Sequence, residues 1–357
     1  MQLISKQRIL KLQNIQIKNF IQFHKNNHLI RLRMIIFRIK LITYNNFINK
    51  PDLPLSQKMP NFKEQAEKLY KAMKGLGTNE QVIFEVASSH TAEERFSIAE
   101  AFVGLYGDTL EKWFKKELSG NLEKLMVPLF KGRYAMWAQF INDAVKGAGT
   151  DERSLIELVF LMNDADQQRV EIEYQRLFGK QLKQSIENDI SGGHWAKLIR
   201  AWLHAKNDSG ADPEKIADDL WNAAKGAGTD EQVFMQILAN CHADLYRKVC
   251  DVFLMKYRKD LAEIIKREFS GKSEDAFMSA HYSLYDKRVA VARQLKLAYK
   301  GAGTDEMQLI RATVLFSDRV RGHELKEAYQ IFGDVLKDTK RDLTGKFEKA
   351  VIQMWQM

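Results

Sequence analysis

The chain of 357 residues carries 55 Lys and Arg against 46 Asp and Glu, a formal net charge of +9. Its length exceeds the usual size of one hydrophobic core, so several domains or repeats are expected. Residues 1–58 hold eleven basic residues and one acid, Asp52, which leaves 44 basic (55 − 11) and 45 acidic (46 − 1) side chains in the other 299 residues. Because this body is electrically balanced, its composition argues against a nucleic-acid-binding groove.

The sequence carries no signature of a membrane span or of a disulfide framework. No stretch reaches the roughly 18 apolar residues of a spanning helix, and the N-terminus lacks the uninterrupted apolar core of a signal peptide. Cys241 and Cys250 would lie roughly 13 Å apart along a helix axis, which is too far to bridge. We therefore expect reduced thiols in a cytoplasmic protein whose membrane contact is peripheral.

Residues 1–60 form an N-terminal extension rich in Ile, Lys, Asn and Leu, with basic residues interrupting every apolar run. Three interpretations remain open. The extension could be a basic amphipathic anchor for anionic lipid or a transit peptide. It could also be translated AT-rich noncoding sequence that precedes a true start at Met59.

Helical patterns begin at Phe62 and continue to the C-terminus, without the alternating strands of a β protein. In the first unit a helix ends at a glycine loop, and a second capping box at Thr91 predicts a helix that stops near Gly107. A helix from about Thr109 should end near Glu117, and residues 122–130 close the unit. This pattern predicts five helices per unit and an all-α fold.

The glycine loop that ends the first helix occurs four times. The copies are loop 1 (residues 74–78), loop 2 (146–150), loop 3 (225–229) and loop 4 (300–304), and each reads Lys-Gly-x-Gly-Thr. Their first glycines are 72, 79 and 75 residues apart (75 to 147 to 226 to 301). Intervals of this length predict a small domain per repeat rather than a thin solenoid.

Each loop threonine is predicted to cap the helix that follows, and apolar residues fall at matching offsets beyond it. The four threonines are Thr78, Thr150, Thr229 and Thr304, with Gln81 and Gln232 completing capping boxes in the first and third copies. Pro213 is suited to open a helix after a polar linker. The expected organisation is an extension (1–60), repeat 1 (61–131), repeat 2 (132–204), a linker (205–215), repeat 3 (216–287) and repeat 4 (288–357).

Every loop is followed by one acid in the pattern acid-x-Ser/Thr-Gly. The acids are Glu117, Asp189, Glu268 and Asp342. The second loop glycine precedes the acid by 40 residues in the first three copies and by 39 in the fourth (303 to 342), a difference that we attribute to an interhelix loop.

A loop with alternate glycines can turn several carbonyl oxygens into one space, because glycine tolerates positive φ. Neutral carbonyl oxygens and one bidentate carboxylate suit Ca²⁺, which accepts six to eight oxygens in flexible geometry. Three carbonyls and two carboxylate oxygens leave positions open for water or a lipid phosphate. We expect such sites to bind calcium and membrane cooperatively. A phosphate-binding loop is a poor alternative, because the preceding strand and the Gly-Lys-Ser/Thr order are both missing.

These loops and their distant acids resemble those of annexins over residues 62–357. The resemblance implies a slightly curved all-helical disc of four repeats with five helices each, calcium sites on one face and reversible binding to acidic phospholipid. In that family the carbonyl of the residue before the lysine and those of both glycines bind the ion together with the acid. The implied ligands are Met73, Gly75, Gly77 and Glu117; Val145, Gly147, Gly149 and Asp189; Ala224, Gly226, Gly228 and Glu268; and Tyr299, Gly301, Gly303 and Asp342.

The expected function is therefore calcium-dependent docking on acidic phospholipid at the cytoplasmic leaflet, with Ca²⁺ as the only cofactor. The alternative is a calcium-regulated helical-repeat scaffold that binds cytoskeletal or other proteins. No constellation of nucleophile and base indicates an enzyme. The loop lysines could contact lipid phosphate, and Leu76 at the tip of loop 1 could dip into the membrane interface.

Overall fold

The computed structural model describes residues 61–147, 149–205, 210–226, 228–301 and 303–357. These residues form twenty α-helices and no β-strand, which confirms the predicted all-α fold. The expectations for residues 1–60, for linker residues 206–209 and for the loop-tip alanines Ala148, Ala227 and Ala302 lie outside the described residues.

The helices follow one another in four groups of five, as the fold prediction requires. In the first group, α1–α5 span Lys63–Met73, Glu80–Ser89, Ala92–Tyr106, Leu110–Glu117 and Gly120–Leu129. In the second, α6–α10 span Arg133–Val145, Glu152–Phe160, Asp164–Phe178, Leu182–Asp189 and Gly193–Leu203. In the third, α11–α15 span Pro213–Ala223, Glu231–Asn240, Ala243–Tyr257, Leu261–Glu268 and Gly271–Tyr285. In the fourth, α16–α20 span Lys287–Ala298, Glu306–Phe316, His323–Tyr329, Val335–Asp342 and Gly345–Trp355.

Most of the predicted helix boundaries are confirmed. Thr91 closes a complete capping box with Glu94 at the start of α3, and Gly107 ends that helix in the left-handed region at φ 66°. Thr109 caps α4, and Pro213 opens α11 behind the N-cap Asp212. Side-chain oxygens at the N-caps satisfy backbone amides that have no partner within the helix.

The prediction that the loop threonines cap the following helices is wrong. The caps are the next residues along the chain, Asn79, Asp151, Asp230 and Asp305, whose side-chain oxygens accept from backbone amides in the first helical turn. Asn and Asp are at least as good as Thr at this position, so the cap can move one residue onward. The threonine hydroxyls are thereby left available for another partner.

The core is built from the same helical positions in each group. The three apolar offsets predicted after each loop are all buried, from Ile83 and Phe84 in α2 to Leu309 and Ile310 in α17. Thr313, the polar member of this set, is also fully buried, and its hydroxyl accepts a hydrogen bond from the indole of Trp355 at 2.9 Å. The repeats therefore share one packing geometry, as their sequence offsets predicted.

Buried charges join helices that are far apart in sequence. The Arg133 guanidinium donates to Asp318 at 2.6 Å and to Glu93 at 3.2 Å, and the side chains of Arg133 and Asp318 are only 2% and 3% exposed. Burial alone would raise the pKa of Asp318, but attraction to Arg133 outweighs it and lowers the pKa. Arg133 thus joins the first, second and fourth helical groups, and its contact with Asp318 has little access to water.

We predict that Asp318→Asn destabilises the protein by about 3–5 kcal/mol at neutral pH, because Arg133 would keep a buried charge without its main counterion. The carboxylate contributes stability above its unfolded pKa and loses it as pH falls through the lowered folded pKa. The difference between the two proteins in urea unfolding should therefore shrink below about pH 4.

The control for this variant is Glu64→Gln, which removes the exposed ion pair between Glu64 and Lys68. It should leave the free energy of unfolding close to that of the unmodified protein, because an exposed ion pair contributes little. Equal effects of the two substitutions would contradict the structural role given to Asp318.

Candidate metal centre

The four loops share a backbone geometry that only glycine adopts readily. Both glycines of every loop have positive φ, from 85° at Gly77 to 130° at Gly147. A Cβ added at any of these glycines would meet no atom within 4 Å, so the requirement comes from the backbone conformation and not from crowding. The turn exposes the loop, whose glycines all lie at the surface.

Each loop is closed at its base by the same backbone hydrogen bond. The amide of the N-cap residue donates to the carbonyl seven positions earlier, near the end of the preceding helix. The four bonds join Asn79 to Ala72 (2.8 Å), Asp151 to Ala144 (2.8 Å), Asp230 to Ala223 (2.9 Å) and Asp305 to Ala298 (2.9 Å). The predicted ligand residues Met73, Val145, Ala224 and Tyr299 lie just beyond these carbonyls, at the helix ends.

All four acids are the last residues of eight-residue helices, α4, α9, α14 and α19. The residue after each acid is buried and anchors the helix end: Leu118, Ile190, Phe269 and Leu343. The glycine of the acid-x-Ser/Thr-Gly pattern then takes positive φ, between 56° and 68°, where the next helix starts. The motif therefore fixes the position of the carboxylate by burying one neighbour and turning the chain beyond it.

The loop threonines connect each loop to its acid. The Thr78 hydroxyl donates to Glu117 Oε2 at 2.9 Å, and Thr229 makes the corresponding bond to Glu268 Oε2. Where the acid is the shorter Asp, the hydroxyl donates to its backbone carbonyl instead. These bonds are from Thr150 to Asp189 at 3.0 Å and from Thr304 to Asp342 at 3.3 Å.

The surroundings of the acids favour a cation. A carboxylate at the C-terminal end of a helix lies beside the negative end of the helix dipole, which disfavours an anion without a counterion. Asp189 Oδ2 is buried and has no hydrogen-bond partner in the structure, which suits an oxygen that serves as a metal ligand. At Glu268, the hydrogen bond from Thr229 lowers the carboxyl pKa, and Arg267 acts in the same direction.

The chemistry of the donor set fits Ca²⁺. A glycine loop can offer neutral backbone oxygens and the acid one carboxylate, and calcium accepts such oxygens in variable number. Among the described residues, no three His, Cys, Asp or Glu side chains cluster as a metal site. This matches a centre that has one carboxylate and draws its other protein ligands from the backbone, as the sequence pattern indicated.

Sequence analysis did not predict two features of these sites. One is the hydrogen bond from each loop threonine to the acid residue, and the other is the contact that the residue before the acid can make with the carboxylate. That residue is Lys116, Asn188, Arg267 or Arg341 in the four copies. The recurrence of threonine in every loop was a usable signal for the first feature. The basic residue in three of the four copies was a signal for the second.

The fold defines a helical-repeat protein with four glycine loops of the same geometry, and the comparisons with known proteins identify its family. A sequence profile of the annexin family matches residues 64–129, 137–202 and 215–280. Human annexin A13 is 35% identical over 299 residues, which cover 81% of this chain and 93% of that protein. Bovine annexin A5 is 34% identical over 302 residues, which cover 82% and 94%.

Solved structures are similar over the same part of the chain. Chicken annexin V has a TM-score of 0.73 at 30% identity and covers 83% of this chain and 96% of its own. The calcium-bound structure of alpha-14 giardin has a TM-score of 0.76 at 25% identity, with 82% and 99% covered.

The chain therefore belongs to the annexin family. It is accordingly a member of a non-enzymatic family whose general activity is calcium-dependent binding to phospholipid membranes. None of the described helices is long and apolar enough to cross a membrane.

We predict that Gly147→Ala destabilises the protein by about 1–3 kcal/mol, because an L-residue is strained at φ 130°. The matched control is Gly104→Ala in the last turn of α3, where alanine meets no atom within 4 Å and should stabilise by about 0.5–1 kcal/mol. Urea unfolding of the two variants should therefore give changes of opposite sign. A neutral or stabilising effect of Gly147→Ala would show that loop 2 does not need its glycine conformation.

Proposed function

We propose that this protein binds acidic phospholipid reversibly through four calcium ions, each held by one glycine loop and its distant acid. The observation that carries the proposal is the contact between every loop threonine and its acid. A contact that spans 38 or 39 residues in each of four copies ties every loop to the helix end that carries its acid. Such a contact has no evident use in a scaffold that only stacks helices.

The proposed ligands are the loop carbonyls and acids named from the family resemblance. In repeat 1 these are the carbonyls of Met73, Gly75 and Gly77 with the carboxylate of Glu117, and the other repeats supply the corresponding sets. The remaining coordination positions would accept water or a phosphate oxygen from lipid. A site with one protein charge should bind calcium weakly until an anionic headgroup completes it, which couples calcium binding to membrane binding.

The arrangement of helix starts supports a common membrane-binding face. Ion pairs join residues at the starts of helices in different repeats: Lys272 with Glu152 at 2.6 Å and Arg153 with Asp305 at 3.9 Å. Lys346 likewise pairs with Glu80 at 2.6 Å. These contacts link repeat 3 to repeat 2, repeat 2 to repeat 4 and repeat 4 to repeat 1, and they support the proposal that the loops lie on one side.

Repeats 1 and 4 come especially close at this side. Glu80, Glu117, Glu306 and Asp342 line a single cleft between them. Two of these acids are proposed calcium ligands, so adjacent sites could engage neighbouring lipid headgroups. Four weak sites on one body gain avidity when they bind the same surface.

In this proposal the protein is cytoplasmic and reaches the inner leaflet when calcium rises. The repeat boundaries that we propose are those expected from the sequence, with one site in each of residues 61–131, 132–204, 216–287 and 288–357. Attraction to acidic lipid would come from bound calcium, because the repeat body is close to electrically neutral.

We predict that Glu117→Gln, Asp189→Asn, Glu268→Gln and Asp342→Asn together abolish calcium-dependent co-sedimentation with phosphatidylserine vesicles. Each single change should only raise the calcium midpoint, because the other sites still supply avidity. The control changes four exposed acids elsewhere to amides, Glu67, Glu100, Asp244 and Glu263, and should leave the midpoint within about twofold.

Two outcomes would overturn the proposed function. One is sedimentation of the unmodified protein that persists in a calcium chelator. The other is capture of cytoskeletal protein that depends on calcium while vesicle binding does not, which would favour the scaffold alternative. Circular dichroism of the fourfold variant would establish that it remains folded.

Leu76 at the tip of loop 1 is the most exposed large apolar residue of the described chain, at 109% of its reference area. An apolar tip beside a calcium site can enter the membrane interface once the ion has brought the loop to the surface. We predict that Leu76→Ala raises the calcium midpoint of vesicle binding about threefold to tenfold. The alanine would bury less apolar surface in the membrane interface, and the lost free energy corresponds to a change of that size. Ile172→Ala, at an exposed position outside the loops, should change it by less than about twofold.

A further inference from the structure

In the third and fourth sites, a positively charged arginine side chain contacts the proposed calcium ligands. In repeat 3, Arg267 donates from Nε to Glu268 Oε1 at 2.7 Å and from Nη2 to the carbonyl of Ala224 at 3.3 Å. In repeat 4, Arg341 donates from Nε to Asp342 Oδ1 at 2.6 Å and from Nη2 to the carbonyl of Tyr299 at 3.4 Å. Each guanidinium thus joins the carboxylate to the helix-end carbonyl of the same site.

Those two groups are the proposed calcium ligands at opposite ends of the site. A calcium ion binds oxygens at 2.3–2.6 Å and would need the carboxylate and the carbonyl to converge on it. A guanidinium that already spans both oxygens occupies the space between them. Calcium and the arginine therefore cannot use the same pair of oxygens at once.

Repeat 2 provides a natural comparison inside the same protein. Its residue before the acid is Asn188, which carries no charge, and Asp189 Oδ2 is buried without a hydrogen-bond partner. Repeat 1 is intermediate, since the Lys116 ammonium lies 3.3 Å from Glu117 Oε1. The loops are otherwise alike, with both glycines at positive φ in every copy.

We propose that Arg267 and Arg341 are built-in competitors of calcium, so that repeats 3 and 4 bind the ion only at higher calcium concentration than repeat 2. This inference rests on the proposed function, because it assigns a regulatory group to the same sites. The arginine is tethered one residue from the acid, which gives it a high effective concentration at the carboxylate. Both arginine side chains are about half exposed, at 50% and 54%, so they can turn away from the site when calcium enters, and Arg341 Nη1 already donates to Asp338 Oδ1, outside the proposed ligand set, at 2.7 Å.

The size of the effect follows from the strength of a half-exposed ion pair. Such pairs have modest energies, so the arginine would be bonded to the carboxylate and the helix-end carbonyl in roughly 70–90% of molecules. This bonded arrangement is called the arginine bridge. Calcium affinity is reduced by the fraction of molecules in which the site is open. Removing the arginine should therefore increase calcium affinity about threefold to tenfold at that site.

The test compares two double variants of the full chain that lose the same charge from the same helices. Arg267→Gln with Arg341→Gln removes both bridges, whereas Lys266→Gln with Lys340→Gln removes the exposed lysines that precede them. Titration with calcium chloride in a calorimeter, without lipid, measures the affinity of each protein. The calcium midpoint of phosphatidylserine vesicle binding provides the second readout.

We expect the arginine variant to bind calcium about threefold to tenfold more tightly and the lysine variant to stay within about twofold of the unmodified protein. Asn188→Arg should produce the reverse change by introducing a bridge into repeat 2. Calcium should also raise the melting temperature of the arginine variant more than that of the unmodified protein, since stabilisation follows affinity.

Equal calcium affinities of the arginine and lysine variants would overturn the inference, because charge alone would then explain any change. An unchanged or higher affinity of Asn188→Arg would overturn it as well. Absence of any calcium binding by the unmodified protein would instead refute the proposed function, and the two failures are therefore distinguishable.

Discussion

The hydrogen bond between each loop threonine and the helix that ends in its acid is the interaction on which the candidate sites depend. A loop of exposed glycines has little packing to hold it, and its carbonyls alone would present no charge to a cation. The acid, in turn, lies at the unfavourable end of a helix dipole. In the proposed function, joining the two brings the acid-bearing helix end to a loop of neutral oxygens, and together they would form a cation site from parts that are individually weak.

The same contact takes two forms that alternate along the chain. Glutamates in repeats 1 and 3 reach the threonine hydroxyl with their carboxylates, whereas the shorter aspartates in repeats 2 and 4 meet it with their backbone carbonyls. The aspartate carboxylates are consequently released for other partners. In repeat 4 that partner is Arg341, while in repeat 2 one carboxylate oxygen has none. Four similar motifs therefore need not have equal calcium affinities.

The proposed function also requires the repeats to keep fixed relative positions, so that four weak sites can bind one membrane surface together. Apolar cores do this within each group of helices, and buried charges such as Arg133 with Asp318 do it between groups. A buried ion pair contributes little net stability compared with apolar packing, but it tolerates few alternative arrangements. Its position among three repeats suits a role in orienting the loops relative to one another.

The all-α fold, the four copies of five helices and the pairing of each loop with one acid could be predicted from the sequence, because the two short motifs recur nearly unchanged at intervals of 72, 79 and 75 residues. Glycine at alternate loop positions also has a local cause in positive φ, so the loops needed no tertiary information. The caps were assigned one residue too early, since Thr and Asn or Asp are adjacent and both can cap. Which of these two residues contacts the acid depends on the tertiary structure, and in every copy it is the threonine. The tertiary structure also brings Arg267 and Arg341 to helix-end carbonyls 43 and 42 residues earlier in the chain. This contact depends on how separate helices pack, so the sequence around each arginine does not predict it.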